Sequence, residues 1–344
     1  MKKNFMIAAI LVVVVSMFIG CAFPTSSPGG TGGSGETAGH TSGSSSESST
    51  EDDDPNMSTE DVEQSISTKD IAQNLKRMLV LPEDAKEVID AAIDIFVGDD
   101  QWIYNFNLYL WDEEERLWVI HFNVDTLKEP TDEQFHKMAD ILEVFGYSQE
   151  DIYLDLGDRG KKLELLLSSE RMGSVENVYV EYIPASSEMD IIMLFYPAGG
   201  KVGLDVDKVE KSSWSCVKDV TSMLGINIKN ILENISYTAS NEEEGYNDIG
   251  LSITSFKELK DTEIKLSVGG YLGRSRVENV VDKVEMIRDT YGGNYSMDDQ
   301  DDDGLSVILK DARYGNSSFN IYFFTFAPLD KIVDVMLEIE FVVN

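Results

Sequence analysis

The sequence predicts an α+β fold in which helices pack against antiparallel sheets. Segments with apolar residues at every third or fourth position, typical of amphipathic helices, lie beside segments in which apolar and polar residues alternate, typical of strands with one buried face. Strand segments follow one another without the intervening helices that parallel pairing requires. The same order of elements occurs twice, which predicts two similar α-β-β-α-β-β lobes, at residues 67–200 and 201–344.

The first lobe begins with helical periodicity over residues 69–97, which Pro82 divides into two helices. Two strands follow, and their apolar residues share one face only if Leu110 lies opposite Trp118. Thr131 is expected to cap the next helix. Further strands are expected near residues 151–156, 161–168, 177–183 and 189–196.

The second lobe begins with a helical stretch over residues 205–235, broken at Gly225, and has a second helix at 276–290. Pro328 opens a last helix or strand. Duplication is one interpretation of the repeated order, supported by the alignment of Tyr147–Asp151 with Tyr295–Asp299. The first strands of the two lobes differ in phase by one residue, which favours coincidence. Other strands are expected near residues 247–256, 262–268, 305–311 and 318–326.

The N-terminus has the pattern of an export signal. Lys2 and Lys3 precede an apolar run over residues 5–18, and the run ends at the letters FIGC. This ending resembles the lipobox of bacterial lipoproteins. The resemblance implies that residues 1–21 are a signal peptide, that Cys21 is lipidated, and that the lipid bilayer holds the protein at the extracytoplasmic face of the cell membrane. The alternatives are an ordinary secretory signal or an N-terminal anchor helix.

Residues 22–66, which we call the tether, are rich in Gly, Ser and acidic residues and poor in apolar ones. Such a segment buries too little surface to offset its chain entropy, so we expect a disordered spacer. The formal net charge of the whole chain is −35. This charge argues against nucleic acid as a partner and permits cations or basic partners. Solubility is the simpler explanation. Cys216 is the second of two cysteines, which predicts no disulfide within the domain.

An acidic stretch contains the first half of a calcium-loop motif. Asp299, Asp301, Asp303 and Gly304 spell D-x-D-x-D-G, and alternating carboxylates before a glycine suit one hard cation. The twelfth position is Lys310 instead of the closing Glu, so the motif is not an EF-hand. Two interpretations stay open, a weak calcium site or a solvated acidic loop inserted before a hairpin strand.

Polar and aromatic residues share the non-core face of the first predicted hairpin. One strand contributes Asn105, Asn107, Tyr109 and Trp111, and the next contributes His121 and Asn123. Aromatic rings offer flat apolar area and amides offer paired donors and acceptors, a mixture that suits a sugar or a peptide. The alternative is a face that is solvated or covered by a helix.

Catalytic signatures are scarce in the chain. Ser215 and Lys218 match S-x-x-K, the nucleophile motif of serine β-lactamases and penicillin-binding proteins, and Tyr314 begins a Y-x-N triplet. The K-T-G triplet of those enzymes does not follow in the sequence. We therefore predict a non-catalytic binding module of the cell envelope, whose partner is an envelope protein or a ligand. The alternative is an envelope hydrolase that uses a carboxylate pair, because Asp and Glu are abundant.

Overall fold

The molecule is built on one large antiparallel sheet. The structure is a computed structural model, and its described residues form five α-helices and fourteen strands. The described residues, from Thr68 onwards, belong to a single compact unit. The structure describes residues 68–98, 101–112, 115–126, 128–157, 159–165, 173–208, 214–234, 245–254, 262–300, 304–327 and 332–344.

The first half confirms the predicted helix boundaries. The helical stretch is split before Glu83, directly after Pro82, and Thr131 caps the third helix through a capping box with Gln134. The elements are α1 (Thr68–Met78), β1 (Leu79–Val80), α2 (Glu83–Phe96), β2 (Gln101–Asp112), β3 (Leu117–Thr126), α3 (Asp132–Val144), β4 (Ile152–Gly157), β5 (Gly160–Leu165), β6 (Val175–Ile183) and β7 (Glu188–Phe195).

In the second half, the predicted break at Gly225 is confirmed, because this residue ends a helix in the left-handed conformation. The stretch after Pro328 is resolved as a strand. The elements are β8 (Gly203–Leu204), α4 (Ser215–Leu224), β9 (Gly245–Thr254), β10 (Thr262–Leu272), α5 (Arg274–Tyr291), β11 (Asn294–Gln300), β12 (Gly304–Tyr314), β13 (Ser317–Thr325) and β14 (Val333–Val343), with short 3-10 helices at Val206–Lys208 and Ile228–Asn234.

Twelve strands form one sheet in the order β11-β12-β13-β14-β10-β9-β2-β3-β7-β6-β5-β4, and β1 pairs with β8 separately. The predicted α+β class is confirmed. From the centre outwards the two halves run β2-β3-β7-β6-β5-β4 and β9-β10-β14-β13-β12-β11, which is the same order. In each half a helix, two strands and a second helix are followed by four strands. The four strands predicted after the helix in the first half are confirmed, and the second half has the additional strand β11 and ends in the strand β14. The two halves join where β2 pairs with β9.

The strand registers repeat between the halves. Residues paired between β3 and β7 correspond to residues paired between β10 and β14 at constant offsets along the chain. The predicted alignment of Tyr147–Asp151 with Tyr295–Asp299 is wrong, because the first segment precedes β4 while the second lies within β11. The corresponding pairs are Trp118 with Phe195 and Ile120 with Met193 in the first half, and Leu266 with Ile339 and Val268 with Leu337 in the second.

One face of the sheet, the inner face, forms the core with the helices. The buried apolar residues of all five helices belong to one cluster with inner-face residues such as Phe106 and Phe122. Cys216 lies in this cluster as a buried free thiol. The opposite face, which we call the open face, contains Val119 and Tyr179, which are buried but lie outside that cluster.

Tyr147 makes the stability of this core sensitive to alkaline pH. Its hydroxyl donates a hydrogen bond of 2.9 Å to the carbonyl oxygen of Val175. Burial raises the pKa of the phenol from 10.0 to about 12, and the charges of Asp84 and Glu176 act in the same direction. The folded state therefore holds this proton more tightly than the unfolded chain does.

We expect the contribution of Tyr147 to be complete below about pH 10 and to be lost between about pH 10 and 12. Tyr147→Phe should lower the free energy of unfolding by about 1 kcal/mol at pH 7 and flatten its decline above pH 10. Urea unfolding at several pH values measures both effects. Tyr153→Phe, at a 45 % exposed position, is the control, and an equal effect of the two substitutions would contradict the assignment.

Candidate functional site

The predicted polar face of β2 and β3 is a real cluster of side chains. The predicted register is confirmed, because Leu110 pairs with Trp118. The same register places Asn105 opposite Asn123 and Asn107 opposite His121. All four point to the open face, because their neighbours along each strand point into the core. These four residues and Asp190 of β7 are called the amide cluster below.

Hydrogen bonds join the amide cluster across three strands. Asn105 donates from Nδ2 to Oδ1 of Asn123 at 2.9 Å. Asn123 in turn donates from Nδ2 to Oδ1 of Asp190 at 2.5 Å, and the same nitrogen lies 3.1 Å from Nε2 of His121. The His121 Nε2 atom is 3.4 Å from the Asp190 carboxylate. Asp190 was missed from the sequence, because it pairs with Asn123 only through the non-sequential neighbour strand β7.

Three buried polar atoms of the cluster have no hydrogen-bond partner among the described residues. They are Oδ1 of Asn105, Nδ2 of Asn107 and Nδ1 of His121. The Asn107 and His121 side chains are deeply buried, with residue exposures of 4 % and 9 %. Each such atom costs about 1–3 kcal/mol relative to its hydrated state, so the fold gives up stability at this place.

Aromatic side chains border the amide cluster. The rings of Tyr109 and Trp111 lie side by side with centroids 6.1 Å apart, as the sequence predicted for this face. Burial raises the pKa of the Tyr109 phenol to about 12, so this hydroxyl stays a hydrogen-bond donor at neutral pH. On the other side, Tyr179 donates to Oε2 of Glu181 at 2.5 Å. The cluster therefore combines flat rings with amide, imidazole and carboxylate groups.

A concavity of about 290 Å³ lies over β9, β10, β13 and β14, beside the amide cluster. Ser252, Lys265, Asn320 and Glu340 are among the residues that line it. Ser252 is the direct cross-strand neighbour of Asn107, so the concavity begins where the amide cluster ends. The sequence did not indicate it, because its walls come from strands that are distant along the chain.

The calcium prediction remains a prediction. Asp301 and Asp303 lie outside the described residues, and Asp299 is described only as a backbone position of β11, paired with Leu305. Within the described ranges, no group of three His, Cys, Asp or Glu side chains is arranged to hold a metal ion. The stretch from Asn294 to Gln300 is a strand, so the predicted loop insertion is wrong for these residues.

Gly304 has a structural role that does not depend on a metal. Its φ is +101°, and a Cβ atom there would lie 2.2 Å from the carbonyl oxygen of Thr325. Gly160 holds the corresponding place in the first half, with φ +149° and a would-be Cβ 2.8 Å from the carbonyl oxygen of Tyr182. Both glycines begin the second strand of a hairpin whose third strand passes closely.

The S-x-x-K match does not form a nucleophile site. Lys218 is bound to Asp207 and is half exposed, so its ammonium group is engaged away from Ser215. Tyr314 lies beside Ser215 and donates to Oδ2 of Asp219 at 2.6 Å. The hydrogen bond to Asp219 raises the pKa of Tyr314. The phenol therefore stays protonated and does not serve as the base that would activate the serine.

Cys21 and the tether up to residue 66 lie outside the described residues. Among the helices that the structure describes, none combines the length and the apolar character needed to span a membrane. No protein-family model matches the chain, and no curated protein matches it either.

The role of Gly304 is testable by substitution. We expect Gly304→Ala to lower the free energy of unfolding by about 2–4 kcal/mol, because a strained φ is combined with a backbone clash. The loss should be equal in chelator and in millimolar calcium. The control is Gly315→Ala, where φ is +60° and no atom lies within 4 Å, which should cost about 1–2 kcal/mol. A loss confined to calcium would instead assign Gly304 to a metal loop.

Proposed function

We propose that the protein is a lipid-anchored lipoprotein of the extracytoplasmic membrane face, whose folded part is a non-catalytic binding module. The signal-like residues 1–21 ending at Cys21 support the anchor, and the composition of the tether supports a flexible spacer behind it. In this proposal the ligand binds on the open face at the amide cluster.

One observation carries the binding site. Asn107 and His121 are more than nine-tenths buried, and each leaves a polar atom unpartnered among the described residues. Both lie on the face that the core cluster does not occupy. A buried polar atom whose hydrogen-bond partner is a ligand has no partner when the ligand is absent. The same atom, satisfied on binding, then favours the bound state.

The chemistry of the cluster fits a carbohydrate. Asn107 offers an amide donor, Asn105 an amide acceptor and His121 a ring nitrogen, while Asp190 adds a carboxylate acceptor. Sugar hydroxyls donate and accept at once, so they satisfy such a mixed set. The Tyr109 and Trp111 rings supply apolar area for the flat face of a sugar ring.

The proposal separates binding from stability at Asn107. We expect Asn107→Leu to weaken glycan binding at least tenfold, because the amide that would bond the ligand is lost. The unfolding midpoint should stay equal or rise, because an unsatisfied polar group is removed. Binding of the full chain in detergent micelles to an array of purified glycans, with thermal unfolding of the same samples, measures both.

Asn177→Leu is the matched control for this experiment. Asn177 is also buried, but its Nδ2 atom donates to the carbonyl oxygen of Leu165 at 2.7 Å. Its replacement leaves that carbonyl without its partner, so we expect a loss of about 1–3 kcal/mol in stability. If Asn107→Leu destabilises as much as Asn177→Leu and no glycan binding depends on it, the cluster is part of the scaffold only.

A second candidate function is hydrolysis by a carboxylate pair. The observation that favours it is the direct cross-strand pairing of Glu181 with Asp190 on the open face. Glycosidases of the retaining type hold their two carboxyl groups about 5 Å apart. One carboxylate of this pair, Glu181, also accepts a hydrogen bond from the Tyr179 hydroxyl.

The two functions predict different results for Asp190→Asn. For a binding module, the wild-type chain releases no reducing ends from any bound glycan, and the isosteric amide changes affinity by less than about tenfold. For a hydrolase, the wild type releases reducing ends and Asp190→Asn or Glu181→Gln stops the release while binding remains. A reducing-end assay on the glycans retained by the array decides between them.

A further inference from the structure

The amide cluster is one end of a longer row of side chains. Directly paired residues of neighbouring strands point to the same face of a sheet. From Tyr179 of β6 the pairing runs to Ile192 of β7, His121 of β3, Asn107 of β2 and Ser252 of β9. The row thus crosses the junction between the two halves of the sheet without a break.

The same row continues through the second half. Ser252 pairs with Lys265 of β10, which pairs with Glu340 of β14, which pairs with Asn320 of β13. These four residues line the concavity of about 290 Å³. We call the line of residues from Tyr179 to Asn320 the cross-strand row. It spans eight strands, and at a strand spacing of about 4.8 Å it is about 34 Å long.

The cross-strand row and its margin are acidic. Glu340 lies in the row, while Glu181, Asp190 and Glu263 lie in the adjacent row, two residues along their strands. Two lysines lie on this surface, and each is bound by a glutamate. Lys265 Nζ is 2.8 Å from Oε1 of Glu338, and Lys162 Nζ, which lies over the Tyr179 ring, is 2.8 Å from Oε2 of Glu164. An anionic polymer is repelled by this surface, and a cationic one is attracted.

We infer that the ligand is a linear glycan with free amino groups, a de-N-acetylated amino-sugar chain lying across the strands along the cross-strand row. This inference rests on the proposed function. The hydroxyls of such a chain suit the amide and serine groups, and its ammonium groups suit the carboxylates of both halves. A length of about 34 Å accommodates a chain and far exceeds a single sugar.

The experiment compares three probes on the full chain in detergent micelles by calorimetry. The probes are glucosamine oligomers, N-acetylglucosamine oligomers of equal length, and oligolysine. We expect glucosamine oligomers to bind at least tenfold more tightly than the other two, with affinity rising from trimer to octamer and falling as salt is added. Tighter binding of the acetylated oligomers, or binding of oligolysine equal to that of glucosamine, overturns the inference. The oligolysine result would make the occupant a basic peptide.

Two substitutions at the distal end locate the ligand. Glu340→Gln and Glu263→Gln, together, remove two charges of the concavity and keep the side-chain shapes. We expect them to weaken the octamer about tenfold and to leave the trimer unchanged. Glu133→Gln, on the exposed side of α3, is the charge-matched control. If octamer and trimer respond alike, the chain does not follow the row.

The failure of this inference is distinguishable from that of the proposed function. If Asn107→Leu abolishes binding of acetylated and free-amine oligomers equally, the amide cluster binds glycans but the charge argument is wrong. If Asn107→Leu changes the binding of no oligomer, the proposed site itself is wrong and the inference falls with it.

Discussion

The pairing of β2 with β9 is the contact on which the molecule depends. Five residue pairs, from Asn105 with Thr254 to Tyr109 with Gly250, join two six-stranded halves into one sheet. Without them each half would expose the central strand as an open edge, with its backbone donors and acceptors unpaired. The same pairing brings the amide cluster of the first half beside the concavity of the second. Stability and the proposed site therefore depend on the same hydrogen-bonded ladder.

The helices impose a second constraint by occupying one face. Their buried apolar residues form one core with the inner face. Val119 and Tyr179 lie on the open face, outside that core, and are buried nevertheless. Asn107 and His121 are buried on the same face, and each has a polar atom without a hydrogen-bond partner among the described residues. The face outside the core cluster thus carries both the proposed ligand site and its cost in stability.

The repeated architecture gives a structural reason for the glycine of the acidic D-x-D-x-D-G motif. The corresponding glycines Gly160 and Gly304 both begin a strand beside a closely passing backbone. The glycine of the D-x-D-x-D-G pattern is thereby accounted for by the sheet alone, and the carboxylates before it belong to or follow an edge strand. Charged residues on an edge strand oppose pairing with other chains. The shared strand order and the shared glycines both support duplication of one ancestral half.

The sequence by itself determined what depends on neighbours along the chain. The alternation of apolar residues set the register of Leu110 with Trp118, and that register alone placed Asn105, Asn107, His121 and Asn123 together. The Thr131 cap and the breaks at Pro82 and Gly225 followed from local chemistry as well. The strand β11 was not predicted, because its residues are mostly polar and show no alternation of apolar and polar side chains.

Only the tertiary structure decided which strands are neighbours. Asp190 lies 67 residues from its partner Asn123, and Ser252 and Glu340 reach the open face through pairings between distant segments. Alternation tells which face a side chain takes, but every strand with a matching apolar face satisfies it equally well. The choice among them is made by the packing of the whole sheet against its helices, a property that no single segment carries.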